Sequence, residues 1–201
     1  MAISNGYTTL AEVKAILNPL GLATQATDDA VIEDWVEGAS RYIDSETHKT
    51  FYARPETRYF AIPAGRELTF DDWLLSITTF NNGDGVAIAS TEYNFEPRNR
   101  APYYSLRLKE MSSVVWELDS SGNAEDVLSI VGSWGWSTTA PDNIRMACQL
   151  IVVNMYRSRY GNNTTGAATI TGAGVVITPK DIPTAAVEII SKYMPLTPNF
   201  Y

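Results

Sequence analysis

Two stretches of the chain carry the same spacing of apolar residues. In Asp28 to His48 (DDAVIEDWVEGASRYIDSETH), Ile32, Trp35, Val36, Ala39, Tyr42 and Ile43 recur every three or four positions, the period of one face of an α-helix. In Pro141 to Gly161 (PDNIRMACQLIVVNMYRSRYG), Ile144, Ala147, Cys148, Ile151, Val152, Met155 and Tyr156 repeat it. Each predicts a helix of about twenty residues, roughly 30 Å long at 1.5 Å per residue, and the matching faces predict that the two pack together. A shorter helix is predicted from Leu10, Val13, Ile16 and Leu17, opened by a Thr9–Glu12 capping box and ended by Asn18-Pro19-Leu20-Gly21. A last one has Ile182, Ala186, Ile189, Ile190 and Tyr193 on one side, with a cap at Thr178 or Asp181 and Pro183 in its first turn.

Between the two long helices the period drops to that of strands. Thr57 to Ile62, Glu67 to Phe70, Leu74 to Phe80, Val86 to Ala89, Tyr93 to Glu96, Tyr103 to Lys109, Val114 to Leu118 and Val127 to Trp136 are short runs rich in β-branched and aromatic residues. Pro63-Ala64-Gly65, Asn81 to Gly85, Pro97 to Pro102 and Ser120 to Asn123 separate them, and Asn82-Gly83 and Asp84-Gly85 suit hairpin turns with positive φ. The pattern predicts an α+β protein: a small bundle of about four helices from residues 1–50 and 137–201, with residues 51–136 inserted as an antiparallel β subdomain.

At the helix ends, Thr27, Asp28 and Asp29 are expected to cap the second helix, and Glu37 with Arg41 forms an i,i+4 pair. Pro141 and Asp142 suit the start of the third helix, and Arg157 and Arg159 its last turn. Two stretches have no period. One is the Gly- and Thr-rich NNTTGAATITGAGVV after Gly161; the other is the tail MPLTPNFY, extended by two prolines and exposing Leu196, Phe200 and Tyr201. An apolar extended tail calls for a partner.

A formal charge of −8 over 201 residues argues against a surface that binds nucleic acid by neutralising phosphates. The apolar run from Met146 to Tyr156 is interrupted by Gln149 and Asn154 and falls well short of the roughly 20 residues a membrane span needs. The segment MAISNGYTTL has neither the charged start nor the apolar core of a signal peptide, so the expectation is synthesis in a cytoplasm. A single cysteine rules out an internal disulfide, and Cys148 lies on an apolar stripe as a small hydrophobe.

Candidate chemistry is sparse. The one histidine, His48, ends a predicted helix, so neither a His-centred triad nor a multi-His metal site can be assembled within one chain. Gly172-Ala173-Gly174 lacks the third glycine and the strand-turn-helix setting of a dinucleotide site. Asp71-Asp72, expected in a turn, and Glu33 with Glu37, on a helix face, read as solvated acids. No catalytic residue, cofactor or metal is assigned. Trp134 and Trp136, with Trp116 and Tyr103, allow two readings: an aromatic platform for sugar rings, or core and subunit interface.

The order of parts carries a resemblance. The helix Leu10 to Lys14 (LAEVK), the acidic Asp28-Asp29 before an apolar helix with Ala39 and Ile43, and Thr47 through Phe51 resemble the opening of head-tail connector (adaptor) proteins of tailed bacteriophages. Ile130 to Trp136 (IVGSWGW), then Ala140 to Ile144 (APDNI), Ala147, Tyr156 and Arg159 are similar to that family's strand, Gly-aromatic turn and Pro-led helix. The resemblance covers roughly Thr8 to Gly161 and is to the longer members with a β insertion. It implies a structural virion protein without enzyme activity, located at the capsid-tail junction. Such a protein forms a homo-oligomeric ring, usually of twelve, under the portal protein and joins it to a stopper or tail-completion protein, while genomic DNA passes without specific binding. On that expectation Arg157, Arg159, Tyr160, Leu196, Phe200 and Tyr201 meet partners, and the loop with Gly166, Ile170, Gly172 and Val176 lies at the ring interface. Twelve copies would carry a formal charge of about −96, which repels DNA. The other class open to the sequence is a glycan-binding β-domain of a phage tail or receptor-binding apparatus, built on Trp134 and Trp136.

Overall fold

Thr9 opens the first helix as its spacing predicts: its hydroxyl accepts from the Glu12 backbone N–H at 3.2 Å and the Glu12 carboxylate accepts from the Thr9 N–H at 3.0 Å. In this computed structural model, which describes residues 5–20, 25–160 and 182–194, the helices are α1 (Leu10–Leu17), α2 (Asp29–Thr47), α3 (Asp142–Tyr160) and α4 (Thr184–Ser191). Five strands lie between α2 and α3: β1 (Arg54–Phe60), β2 (Glu67–Asn81), β3 (Tyr93–Glu96), β4 (Tyr103–Leu108) and β5 (Leu128–Trp134). The fold is α+β, and the chain divides into two compact units, 49–139 and the flanking 1–48 with 140–201.

In the helical unit the two long helices meet through small residues. Ser40 Oγ lies 3.6 Å from Cys148 Sγ, and Ile32, Val36, Ala39 and Ile43 of α2 are buried with Ile144, Ala147, Ile151 and Val152 of α3. The smallness of Ser40 and Cys148 permits that approach, and Ser40 satisfies its own hydroxyl on the Val36 carbonyl at 2.7 Å. Val13 and Leu17 of α1 and Ala186 and Ile190 of α4 complete this core. The expected cap of α2 takes another form. Asp28 is itself in the helical region after a 3-10 turn (Ala26–Asp28) and makes no side-chain cap bond to α2. Its carboxylate is drawn instead to the Tyr156 hydroxyl at 3.2 Å. Pro141 stands just before α3 and its carbonyl accepts from the Arg145 N–H at 2.9 Å, while Pro183 is the N-cap of α4. The alternative caps Thr178 and Asp181 lie outside the described residues.

The β unit is one antiparallel sheet in the order β1-β5-β2-β4-β3. Its long strand, β2, merges two predicted strands: its first half pairs with β4 and its second half with β5, with irregular register between Thr69 and Leu74. That irregularity bends β2, so its halves line two walls around a shared core of Leu68, Phe70, Leu74, Phe80, Leu106, Leu108, Leu128, Ile130 and Trp134. Phe60 of β1 packs on Phe70 at 5.8 Å although their strands are not hydrogen-bonded neighbours, which shows how far the sheet curls.

Two of the eight predicted strands do not form. Val86 to Ala89 contributes only an isolated bridge, Asn81 to Ala87, because the turn Asn82–Gly85 reverses the chain immediately before it, with the Asn82 N–H on the Val86 carbonyl at 2.9 Å. Val114 to Leu118 runs without a ladder. The Asn82 side chain takes the ladder's place, donating to the Val115 carbonyl at 2.8 Å and accepting from the Glu117 N–H at 3.1 Å.

Candidate interaction surfaces

Among the described residues no group of three or more His, Cys, Asp or Glu is placed to hold a metal ion. His48 is the exposed C-cap of α2, in the left-handed region at φ 52°. Cys148 is fully buried and its thiol is pushed up to about 11 by that burial, so it is protonated and shielded rather than nucleophilic. No helix among the described residues is long and apolar enough to cross a membrane.

What the helical unit does offer is an aromatic cluster at the C-terminal end of α3. Tyr156 and Tyr160, one turn apart, have ring centroids 4.8 Å from each other and each lies 6.4 Å from Trp35 of α2. The Arg159 guanidinium stands 5.8 Å over Trp35 and 5.3 Å over Tyr160. Tyr156 is buried, and its hydroxyl is held above its usual pKa by that burial and by its hydrogen bond to Asp28. Tyr160 is 40% exposed. The structure therefore unites two of the sequence-predicted partner residues, Arg159 and Tyr160, adds Trp35 and Tyr156 to them, and leaves Arg157 exposed beside them. Leu196, Phe200, Tyr201, Gly166, Ile170, Gly172 and Val176 lie outside the described residues.

The aromatic pair in the β unit separates. Trp134 is fully buried, 5.5 Å from Phe70 and 6.0 Å from Phe60, with its indole N–H on the Glu56 carbonyl at 3.2 Å. Trp136 follows Gly135, whose φ of 142° breaks the strand's alternation, and packs edge-on against Trp73 at 4.6 Å with Lys49 Nζ 4.2 Å from its ring centre. Tyr103 stacks on Phe95 at 4.2 Å, and Trp116 donates to the Gly65 carbonyl at 2.7 Å. These rings do not form one platform: Trp134 belongs to the core.

Sequence reasoning missed an ionic seam. Asp71 and Asp72 are not in a turn but in the bend of β2, where Asp72 pairs with both Arg54 and Arg58 of β1 and Asp71 with Arg58 at 2.9 Å. Arg58 also pairs with Glu56 at 3.0 Å and lies 4.5 Å over the Trp134 ring. These side chains join β1 to the first half of β2, where no backbone ladder runs. The spacing Arg54, Glu56, Arg58 was a usable signal, since residues two apart on a strand share a face.

Two further features lie at opposite ends of the β unit. The β3–β4 loop, Pro97 to Pro102, is nearly all exposed and carries Arg98, 65% exposed and 3.5 Å from Glu96, and Arg100. At the other end, a cleft of about 230 Å³ is lined by Val86, Ile88, Val114 and Val115 with the acids Asp84 and Glu117. Around it Val86, Val115, Leu118 and Met111 are exposed, Met111 almost completely at 97%.

No protein-family model matches the chain, and no curated protein does. The fold, however, is found in solved assemblies. It is similar over 100% of this chain and 96% of the other to a chain in the neck of an empty gene transfer agent (GTA) particle computed with C6 symmetry, with a TM-score of 0.60 at 16% identity. A chain in the neck of the native particle computed with C12 symmetry gives 0.58 at 14% identity with the same coverage, and one in the virion of the native particle 0.55 at 15%. At such identity the likeness is one of fold, and it embraces both units.

Proposed function

We propose that this chain is a structural neck component of a phage-like particle, a head-tail connector that works by assembling with other proteins rather than by catalysis. The observation that carries this reading is the match to neck chains along the full length, helical unit and β insertion together. Folds host many functions, so the site must agree, and here the described residues present aromatic, cationic and apolar contact surfaces. In this reading the chain forms a ring, twelve copies being the favoured number, between the portal protein and a stopper or tail-completion protein in the virion. The Trp35, Tyr156, Arg159 and Tyr160 cluster supplies a partner contact, since aromatic residues and arginine dominate binding energy at interfaces. The loop with Gly166, Ile170, Gly172 and Val176 and the tail with Leu196, Phe200 and Tyr201 belong to the same proposal as contacts between copies and with the portal. Genomic DNA passes without being bound, as an acidic chain allows.

The test is to purify the chain and its portal protein and image them separately and mixed, with mass measured by light scattering. Rings of the chain on the portal are expected. A chain that stays monomeric throughout and ignores the portal refutes the reading.

A further inference from the structure

A cyclic ring is built from heterologous contacts, in which each copy presents two different and mutually complementary patches facing away from each other. The β unit has such a pair. At one end the exposed loop Pro97 to Pro102 puts forward Arg98 and Arg100 between apolar Pro97, Ala101 and Pro102. Arg100 has no ion-pair partner among the described residues, and Arg98 has only Glu96, at 3.5 Å. At the other end the cleft between the Asn82–Ile88 turn and Ser113–Glu117 is lined by Val86, Ile88, Val114 and Val115 together with the polar Asn82 and Ser113 and two acids. Asp84 and Glu117 border it, neither in an ion pair among the described residues, and Asp119, Glu125 and Asp126 follow nearby in the chain.

The strands show that these are opposite ends. β3 and β4 run from Tyr93 paired with Leu108 to Glu96 paired with Ser105, and the arginine loop follows the latter pair. Tyr93 packs on Phe80 at 5.7 Å and Phe80 on Trp116 at 6.1 Å, which places the cleft beyond the former pair. Met111, Val86, Val115 and Leu118 are exposed in the segments that form this end, and a core of apolar contacts with arginine at its edge is the usual composition of an interface.

We propose that the β3–β4 loop of one copy docks into the Val86–Val115 cleft of the next copy, Arg98 and Arg100 meeting Asp84 and Glu117, so that the β insertions form a head-to-tail girdle. This deepens the neck reading and rests on it. The occupant is a second copy of this chain because the complementary charge is on the chain itself, and because the similar neck chains come from assemblies computed with cyclic symmetry.

The experiment uses two charge-reversed full-length proteins, R98E/R100E and D84K/E117K. All four side chains are on the surface, and native folding is verified by circular dichroism and tryptophan emission. Each variant alone pairs like with like and loses ring assembly by ten-fold or more in concentration. In a 1:1 mixture every contact in an alternating, even-numbered ring is again between opposite charges, and assembly returns. Variants that assemble alone, or a mixture that stays unassembled while the wild type forms rings, overturn the contact and leave the neck reading standing. A wild type that forms no ring with or without portal overturns both. A second line joins Asn99→Cys to Val115→Cys in one chain. Under oxidation it should yield a ladder of disulfide-linked multimers absent from either single variant, the buried Cys148 staying silent; no ladder from assembled rings overturns the contact.

Discussion

Gly135→Ala is the substitution on which the account of the β unit can be tested most sharply. Gly135 has φ 142°, and an added Cβ would stand 2.3 Å from the Tyr52 carbonyl oxygen and 3.3 Å from that of Thr50. Both obstacles are backbone, and the Thr50 carbonyl is held by a hydrogen bond of its own. The Thr50 carbonyl receives the Trp136 N–H at 2.7 Å and the Gly135 N–H donates to the Trp73 carbonyl at 2.8 Å. The backbone conformation alone costs about 1–3 kcal/mol for a residue with a side chain. Opening the contact to van der Waals distance requires a shift of about 1 Å, enough to lose one of those hydrogen bonds at about 1 kcal/mol each. The sum is about 2–4 kcal/mol, a large part of the 5–15 kcal/mol by which a domain is stable.

Two other glycines separate the contributions. Gly122 has φ 79° with nothing within 4 Å of an added Cβ, so Gly122→Ala isolates the backbone cost, about 1–2 kcal/mol. Gly38 lies inside α2 with open space around it, and Gly38→Ala should stabilise the helical unit by about 0.5–1 kcal/mol. Urea titration resolves the units when Trp35, the one tryptophan of the helical unit, is replaced by Phe: Trp73, Trp116, Trp134 and Trp136 then report the β unit by fluorescence, and far-ultraviolet circular dichroism is dominated by the helices. With a slope of about 1.5–2 kcal/mol per molar, Gly135→Ala should lower the fluorescence midpoint by about 2 M and leave the helical transition in place. A midpoint equal to that of Gly122→Ala would mean that the approach to Tyr52 contributes nothing, and the reasoning fails.

Cys148, its thiol raised to about 11 by burial against Ser40, should resist maleimide at pH 8 and react only on unfolding; rapid stoichiometric labelling of native protein would contradict this. Glu12 is partly buried, which opposes its charge, but hydrogen bonds from Thr8 and Thr9 outweigh that and hold its carboxyl below the ordinary 4.5. Its contribution is thus complete above about pH 4.5 and is lost as pH falls further, so Glu12→Ala should destabilise the helical unit, by about 1 kcal/mol at pH 7, and less at pH 3; equal losses at both pH values would refute the capping box. Residues 49–139, produced alone, should fold with a cooperative urea transition and buried tryptophan emission, because the core of Phe70, Trp134 and their neighbours is drawn from within that segment; a molten fragment would disprove it.

The helices were legible because a 3.6-residue period needs no knowledge of partners: Ile32 to Ile43 and Ile144 to Tyr156 mark the faces that the bundle buries. The strand boundaries were less so. Val114 to Leu118 alternates as a strand does, yet its backbone groups go to the Asn82 amide, a tertiary substitution that alternation cannot register. Trp134 and Trp136 have the same parity, and Gly135 undoes it; the glycine was visible, but its φ was not. The pairing of Asp71 and Asp72 with Arg54 and Arg58 depends on the bend of β2, so two residues that look solvated in sequence close the seam of the sheet. In the aromatic cluster, Tyr156 and Tyr160 are four apart on α3, whereas Trp35 joins them only through the packing of α2 on α3.

The distribution of charge bears on the proposed preference for protein partners over DNA. Its formal excess is acidic, and many of its cations are engaged internally: Lys14 with Asp29, Arg41 with Asp44, Arg54 and Arg58 with Asp72, Arg145 with Asp142, while Arg66 donates to the carbonyls of Lys109 and Ser112. A duplex approaching this surface would find few phosphate partners in register, and affinity for DNA depends on their number. Apart from Arg107, exposed on β4, the arginines that project among the described residues stand in two small groups, Arg98 with Arg100 and Arg157 with Arg159, each beside apolar or aromatic side chains. Two cations set among apolar groups are too few to hold a polyanion and well suited to orient a protein partner, because electrostatics at a rim steers and aligns while the adjoining apolar surface supplies the affinity. In the proposed girdle the acids Asp84 and Glu117, without ion-pair partners among the described residues of their own chain, serve the protein contact: one copy along the ring they would receive the arginines of a neighbour.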